Sequence, residues 1–358
     1  MVQILGLILM AAAVQLDAAS SLPARGKAKV AVIQVEGADR EDAFLKNFDY
    51  NKVRPKSQAH LDRELALFEQ AGEMGADIVC GPEDMQGIGA YGLYMETRDP
   101  VSGELIFNAL AEPVPGPLTE RIAAIAKKHE MYILAPIYEK EAEKIYNCTV
   151  IFNRQGEIIG KHRKTHLPIM ETWGVTPGDS YQTFDTDFGR IAVATCWEII
   201  FPEITTIYAL QGVDILFHPT MGHENETGKS LATSSRYVTR ARDNFIYLAP
   251  VITGSDGNGI IDFNGKVVAE AVGKKNTVIM AEIDFSKEPL SNSKWWNTIN
   301  GTDNEKAMVL LSRNPALLKY LTELHPAVLQ RYGDIRMTNG VGKTEMQVKA
   351  MREVDYGK

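Results

Sequence analysis

The chain has 358 residues, 45% hydrophobic and 23% charged, an ordinary composition for a soluble globular protein with one large domain or two modest ones. Its formal net charge is −8 and its basic residues are scattered, which argues against nucleic acid or an anionic membrane surface as the main partner. Its three cysteines, Cys80, Cys148 and Cys196, cannot all pair within one chain, so we expect no disulfide framework and at least one free thiol.

The N-terminus carries an apolar run from Ile4 to Val14 with small residues behind it. This run is too short to span a bilayer and has the length of a signal-peptide core. However, no Lys or Arg precedes it, whereas Arg25, Lys27 and Lys29 follow it. Residues 1–20 are therefore either a cleaved signal peptide of a secreted or periplasmic protein, or an N-terminal extension of a cytoplasmic one. We expect no stable membrane association, because no other segment is apolar enough to cross a membrane.

From about Lys29, short apolar runs that predict buried strands alternate with amphipathic runs of helical spacing. In residues 58–74, Leu61, Leu65 and Phe68 recur at the spacing of one helix face. The predicted strands lie within residues 30–37, 75–83, 132–140, 146–164, 191–195, 213–220, 245–253, 257–271 and 274–284. The predicted helices lie within residues 58–74, 118–131, 202–211 and 233–244.

Turn-forming residues divide two of the β segments into hairpins. Asn153 and Gly156 bracket the first turn, and Asn264–Gly265 occupies the second. Pro202 is placed to open a helix, and Gly212 is placed to end it. Strands that alternate with helices and hairpins predict a layered α/β domain with helices on the outside. No internal repeat is visible in the sequence.

The sequence changes character beyond about residue 286. Trp295 and Trp296 are followed by a helical pattern over residues 315–332 and by a polar tail from about residue 338. We expect residues 286–358 to form a C-terminal extension that packs on the core or on a neighbouring subunit. They do not have the pattern of a second catalytic domain.

Three chemically reactive side chains directly follow predicted strands: Glu83, Lys164 and Cys196. In layered α/β proteins, functional groups collect where strands end, because the loops there converge on one crevice. A thiolate is a nucleophile, and a cationic neighbour lowers its pKa. A carboxylate can take the thiol proton and later activate water. An ammonium group can bind the oxyanion, with the backbone N–H of Trp197 as a second donor.

Each of these residues, taken alone, has a simpler explanation. Free cysteines are among the most buried residues, so Cys196 fits an inert core position. Glu83 fits a cap after Pro82, and Lys164 fits a solvated basic patch. Only the combination of a carboxylate, an amine and a thiol, each at the end of a predicted strand, favours a cysteine hydrolase.

Three motifs, "GPEDM", "KHRKTHLPIMETWGVTPGD" and "TCWEIIFPE", occur in this order. They resemble the glutamate, lysine and cysteine signatures of the nitrilase superfamily of carbon–nitrogen hydrolases, and the resemblance covers residues 28–285. It implies a four-layer α-β-β-α sandwich that pairs into a homodimer or larger homo-oligomer. It also implies Glu83 as general base, Lys164 as oxyanion-binding cation and Cys196 as nucleophile. Glu171 matches a second glutamate of many members, which positions the lysine or the substrate; the alternative is a surface carboxylate.

The resemblance implies that Cys196 attacks an amide, carbamoyl or nitrile carbon, and that water then releases the acid, without a metal or organic cofactor. We expect a hydrolase of small amides or carbamoyl compounds. The alternative is a nitrilase, which "CWE" favours, whereas "FPE" is more typical of amidases. Two further alternatives are a non-catalytic binding or scaffold relative and an enzyme that transfers the acyl group to an amine.

The substrate pocket is expected to be framed by Trp197, Trp173, Tyr138 and the loop that starts at His218. For Trp173 and Tyr138 a core position is an equal alternative, because aromatic side chains mostly pack. His162 and His166 have the spacing of a metal pair on a helix, but their neighbourhood is predicted as strand and loop, so no metal site is expected.

Overall fold

The computed structural model describes residues 22–37, 50–87, 110–168, 171, 174–221, 230–254, 256–318 and 321, and this part contains two six-stranded sheets. The strands are β1 (Lys27–Gln34), β2 (Ile78–Cys80), β3 (Tyr132–Glu141), β4 (Lys144–Phe152), β5 (Ile158–Arg163), β6 (Thr183–Asp185), β7 (Arg190–Val193), β8 (Ile215–Thr220), β9 (Tyr247–Ile252), β10 (Asn258–Ile261), β11 (Val267–Ala271) and β12 (Thr277–Asp284). The described α-helices are α1 (Tyr50–Glu73), α2 (Pro117–His129), α3 (Pro202–Leu210), α4 (Ser235–Asn244), α5 (Lys294–Asn300) and α6 (Glu305–Leu311).

The two sheets share one pattern of strand pairing. The order is β12-β1-β2-β3-β4-β5 in the first sheet and β6-β7-β8-β9-β10-β11 in the second. In each, an antiparallel pairing at one edge is followed by two parallel pairings and then by two antiparallel ones. The parallel strands β1–β3 and β7–β9 therefore each point their carboxyl ends toward one edge of their sheet.

Within the described residues, three of the hydrophobic clusters separate four layers of secondary structure. The central core lies between the sheets and contains Val32 and Phe217. A second core packs α1 and α2 on the first sheet, and a third packs α3 and α4 on the second. Alternation along β1 shows how one strand serves two cores, because Val30 and Val32 face the central core while Ala31 and Ile33 face the helices. The predicted α-β-β-α sandwich is confirmed.

Local sequence signals explain where several elements begin and end. Pro202 is the first residue of α3, and Gly212 follows that helix with φ = 82°. In the first hairpin turn, the N–H of Gly156 donates to the carbonyl of Asn153. The three-residue edge strand β6 was not predicted, because so short a run carries no usable periodicity.

Only part of the C-terminal extension lies within the described residues. Met308 of α6 is buried, whereas Trp295 and Trp296 of α5 are exposed. Most of the helical pattern over residues 315–332 and all of residues 1–20 lie outside the described part. The expected packing of the extension on the core or on a neighbouring subunit stays a prediction. None of the described helices combines the length and apolar character needed to cross a membrane.

Candidate active site

The three reactive side chains lie at the carboxyl ends of strands. Glu83 is three residues beyond β2, Lys164 directly follows β5, and Cys196 is three residues beyond β7. Two antiparallel pairings in succession make β5 run in the same direction as β3, so Lys164 emerges at the same edge as Glu83. The N–H of Lys164 donates to the carbonyl of Asn147 at 2.8 Å, which extends the β4–β5 ladder to the lysine itself.

Lys164 lies between two carboxylates. Its Nζ is 2.9 Å from Oε1 of Glu83 and 2.6 Å from Oε2 of Glu171. The side chains of Glu83 and Lys164 are fully buried, and that of Glu171 is only 3% exposed. Buried charges are stable when they are paired and hydrogen-bonded, and this geometry meets both conditions.

Asn147 connects the two carboxylates, and sequence reasoning missed it. Its side-chain nitrogen donates to Oε1 of Glu83 at 2.7 Å and to Oε1 of Glu171 at 2.8 Å. The two N–H protons of one amide are thus used on two glutamates. The signal that could have found it is a single amide inside the apolar strand "YNCTVIF". Glu83, Asn147, Lys164 and Glu171 are called the charged cluster below.

Cys196 lies on a strained turn. It is the first residue of a 3₁₀-helix, Cys196–Ile200, and its φ is +49°. The left-handed region disfavours a non-glycine residue by about 1–2 kcal/mol, so the surrounding structure must hold this conformation. The hydroxyl of Thr220, the last residue of β8, hydrogen-bonds the Cys196 sulfur.

The Cys196 thiol is not ionised at neutral pH. Burial raises its pKa to about 12, and the charge of Glu83 adds to this rise, whereas Lys164 opposes it. A cationic neighbour is expected to lower the pKa of a thiol, and Lys164 does act in that direction on Cys196, but other contributions are larger. Desolvation and two nearby carboxylates outweigh one cation. Attack by Cys196 consequently requires a base that takes the thiol proton.

The protonation of the charged cluster follows from its mutual interactions. Burial alone would lower the pKa of Lys164, but the charge of Cys196, once that thiol ionises at high pH, and the charges of Glu171 and Glu83 raise it well above its usual range. Lys164 is therefore an ammonium ion throughout the working pH range. Burial raises the pKa of Glu171, Lys164 opposes the rise, and Glu83 adds to it.

The second sheet also holds Glu83 in place. The backbone N–H of Met221, directly after β8, donates to Oε2 of Glu83 at 2.7 Å. The hydroxyl of Thr253, directly after β9, donates to the carbonyl of Glu83 at 2.8 Å. Both oxygens of the Glu83 carboxylate are thus bound, one by the first sheet and one by the second.

The sequence model of the family described as carbon-nitrogen hydrolase matches residues 29–288. The chain belongs to the carbon-nitrogen hydrolase family.

Relatives of this carbon-nitrogen hydrolase have several activities in their names. The omega-amidase NIT2-A of Xenopus laevis is 31% identical over 252 residues, which are 65% of this chain and 86% of that protein. The bifunctional nitrilase/nitrile hydratase NIT4A of Lupinus angustifolius is 29% identical, over 64% of this chain and 74% of that protein. Among solved structures, Nit3 of Saccharomyces cerevisiae has a TM-score of 0.53 at 25% identity and covers 72% of this chain and 90% of that chain.

The four residues expected around the substrate occupy different environments. Trp197, next to the nucleophile, is 41% exposed. Tyr138 is fully buried, and its hydroxyl donates to Oε1 of Glu171 at 3.3 Å. His218 is also buried and donates from Nδ1 to the carbonyl of Ala194 at 2.7 Å. Tyr138 thus contacts the charged cluster, and His218 contacts the backbone two residues before Cys196. Contact of either side chain with substrate stays a prediction. Trp173 lies outside the described residues.

The two histidines considered for a metal pair have separate contacts. His162 contacts Oε2 of Glu198 at 2.8 Å, whereas His166 packs against Phe201 with ring centroids 4.4 Å apart. Within the described part of the chain, no group of three His, Cys, Asp or Glu side chains has the arrangement of a metal site.

Proposed function

We propose that this carbon-nitrogen hydrolase cleaves small non-peptide amides or carbamoyl compounds through an acyl group linked to Cys196, with release of ammonia or an amine. The observation that carries the proposal is the binding of Lys164 by both Glu83 and Glu171, beside a thiol whose pKa is raised. This arrangement supports a mechanism with a buried base, a buried cation and a partly buried nucleophile. The similarity to an omega-amidase supports an amide substrate.

In the acylation half, the Cys196 sulfur attacks the amide carbon as Glu83 takes the thiol proton. The carbonyl oxygen becomes an oxyanion, which the Lys164 ammonium and the N–H of Trp197 stabilise. Glu83 then gives its proton to the leaving nitrogen, the carbon–nitrogen bond breaks, and a thioester remains. Because the free thiol is protonated, proton transfer to Glu83 belongs to the attack and does not precede it.

In the deacylation half, Glu83 takes a proton from water as the water oxygen attacks the thioester carbon. Lys164 again stabilises the oxyanion. The carbon–sulfur bond breaks, the sulfur regains the proton from Glu83, and the carboxylic acid leaves. Glu171 and Asn147 fix Lys164 and Glu83 through both halves, since neither needs to exchange a proton.

A panel of small amides and carbamoyl compounds tests this proposal, with ammonia release as the readout and Cys196→Ala as the negative control. Mass spectrometry of the intact protein during turnover should show an adduct on Cys196. If amides are hydrolysed equally by Cys196→Ala, or the adduct lies on another residue, the proposed mechanism is wrong.

A nitrilase is the second candidate. The sequence "CWE" and the similarity to a bifunctional nitrilase/nitrile hydratase favour it. The same attack by Cys196 on a nitrile carbon gives a thioimidate, which two water molecules convert to acid and ammonia. Aliphatic and aromatic nitriles belong in the same panel. Turnover of amides without turnover of any nitrile would eliminate this candidate.

A further inference from the structure

A buried carboxylate outside the charged cluster joins the turn at Cys196 (the nucleophile turn) to the residues that flank Lys164 (the lysine segment). Glu198, in the 3₁₀-helix that begins at Cys196, is fully buried. Its Oε2 accepts the backbone N–H of Thr195 at 2.6 Å and contacts Nε2 of His162 at 2.8 Å. Its Oε1 accepts the backbone N–H of Thr165 at 2.9 Å and the hydroxyl of the same residue at 2.6 Å.

The two oxygens of this carboxylate therefore bind two different parts of the site. Oε2 binds the residue before Cys196, next to the second sheet, and also contacts His162 of β5, whereas Oε1 binds the residue after Lys164, next to the first sheet. Burial alone would raise the pKa of Glu198, but His162 and the two donors of Thr165 lower it to about 2. Glu198 is thus a permanent anion, and each of its hydrogen bonds is charge-assisted.

The left-handed backbone conformation of Cys196 depends on the hydrogen bonds of Glu198. A left-handed non-glycine residue persists only where its neighbours determine the backbone on both sides. Glu198 fixes the N–H directly before Cys196, and its own N–H donates to the carbonyl of Thr195 at 3.1 Å. The turn that presents the sulfur is therefore closed by Glu198 and anchored to the lysine segment by the same side chain.

We propose that Glu198 is a positioning residue that fixes the Cys196 thiol relative to the Lys164 ammonium. The inference rests on the roles proposed above for Cys196 and Lys164. Glu198 does not touch the reacting atoms; it acts through the turn and the segment that carry them. A misplacement of about 1 Å between catalytic groups lowers the rate on the order of 100-fold.

Glu198→Gln breaks the link in either orientation of the new amide. If its oxygen faces Thr165, its NH₂ group faces the N–H of Thr195, and two donors oppose each other. If its oxygen faces Thr195, the N–H of Thr165 meets the NH₂ group instead. Glu198→Asp keeps both acceptors on a shorter side chain, so it should restore part of what Glu198→Gln loses.

Asp214→Asn is the matched control, because Asp214 anchors the opposite end of the same strand. Its Oδ2 accepts the N–H of Arg190, the first residue of β7, at 2.9 Å, and its Oδ1 pairs with Arg25 at 2.9 Å. This variant also removes a carboxylate that binds a backbone N–H, but at the end of β7 away from Cys196. It should lower the melting temperature and leave kcat within about threefold.

The assay measures kcat and KM for the best amide, the melting temperature, and the rate at which iodoacetamide labels each cysteine at neutral pH. We expect Glu198→Gln to lower kcat about 100-fold with KM within about threefold, and Glu198→Asp to recover roughly tenfold. Labelling of Cys196 should slow, because Glu83 no longer meets the thiol proton. A merely structural role predicts the opposite: local opening would speed labelling of Cys196 and expose the buried Cys80 and Cys148.

Faster labelling in Glu198→Gln, or a kcat equal to that of Asp214→Asn, would overturn the positioning role. Thr165→Val and Thr165→Ser provide a second test in case Glu198→Gln does not fold. The valine removes one donor to Glu198 and should lower kcat roughly tenfold, and the serine should restore it. Equal kcat in both would overturn the role as well. Failure of the proposed function itself would appear separately, as full activity in Cys196→Ala.

Discussion

The two sheets have the same order of pairings, yet they contribute different chemistry to the site. The first sheet carries the charged cluster, from Glu83 after β2 to Lys164 after β5. The second carries the cysteine after β7 and neutral donors, among them the hydroxyl of Thr220 and the N–H of Met221. The two sheets therefore have the same topology but carry different functional groups.

This difference means that the proposed mechanism needs both sheets. The first sheet carries the candidate base and the cation, and the second carries the thiol that the proposed mechanism uses. Hydrogen bonds from the N–H of Met221 to Glu83 and from the N–H of Thr165 to Glu198 cross between the sheets and join the two halves. Substitutions on the first sheet, on the second sheet and in these links should therefore affect kcat to different extents.

The largest effect is expected for the second sheet's nucleophile. Cys196→Ala should lower kcat/KM by about 10⁴-fold or more, because no other described group replaces the sulfur. Cys80→Ala is the control, since Cys80 is a buried core cysteine whose pKa burial raises far above its usual range. It should lower the melting temperature and leave kcat within about threefold. A comparable loss of activity in both variants would contradict a special role for Cys196.

On the first sheet, Glu83→Gln should keep the fold and lower kcat by about 10²–10⁴-fold, the usual contribution of a general base. Glu139→Gln is the control: Glu139 is a buried carboxylate on β3 that binds Arg163 outside the charged cluster. Steady-state kinetics of both variants decides the point. Activity of Glu83→Gln within tenfold of wild type would remove Glu83 as the base.

Asn147→Ala should lower kcat roughly 10-fold to 100-fold, because two buried carboxylates lose their shared donor. Asn147→Asp adds a third carboxylate to a site with one cation, so protons should bind more tightly. The acid limb of its kcat/KM profile should move to higher pH than in wild type. An unmoved acid limb would show that Asn147 does not influence the titration of the glutamates.

The pH dependence of wild-type activity tests the protonation states expected for Glu171, Lys164 and Cys196. Protonation of Glu171 removes a charge that pairs with Lys164, so activity should fall when this carboxylate takes up a proton. Because the pKa of Glu171 is raised, the fall should occur at a higher pH than the pKa of an ordinary glutamate. The pKa of Cys196 is about 12 and that of Lys164 lies well above its usual range. We therefore expect no alkaline limb between about pH 7 and 9. A limb in that interval would indicate a pre-ionised thiolate or a titrating lysine.

The last expected effect is on stability and not on activity, and it concerns His218 in β8, the strand paired with β7. Burial lowers the pKa of His218 to about 4 from a usual value of 6.5. The unfolded chain therefore binds a proton first, and the folded state loses stability as pH falls from 6.5 toward 4, by up to about 3 kcal/mol. Urea unfolding at several pH values should show a shallower loss in His218→Gln. The same pH dependence in both proteins would contradict a neutral buried histidine.

The sequence allowed the strand ends and their three reactive side chains to be predicted, because alternation and turn residues are local signals. Other features depend on tertiary contacts. Glu198 was read only as part of "CWE", since its partners His162 and Thr165 lie more than thirty positions away. The raised pKa of Cys196 follows from burial and from the charges of Glu83 and Glu171, which no local pattern encodes. The matching sheet orders left no visible repeat, because strand pairing needs apolar alternation and not particular residues.

Asn147 has a consequence for how the protein is produced. It begins the sequon Asn147-Cys148-Thr149, and the nitrogen that a glycan would occupy is the atom that donates to Glu83 and Glu171. Oligosaccharide transfer and assembly of this site are therefore mutually exclusive at Asn147. In a eukaryotic secretory host, any chain modified there before folding would carry a bulky sugar at a position that is only 2% exposed in the folded protein. Expression in a compartment without this modification avoids the competition.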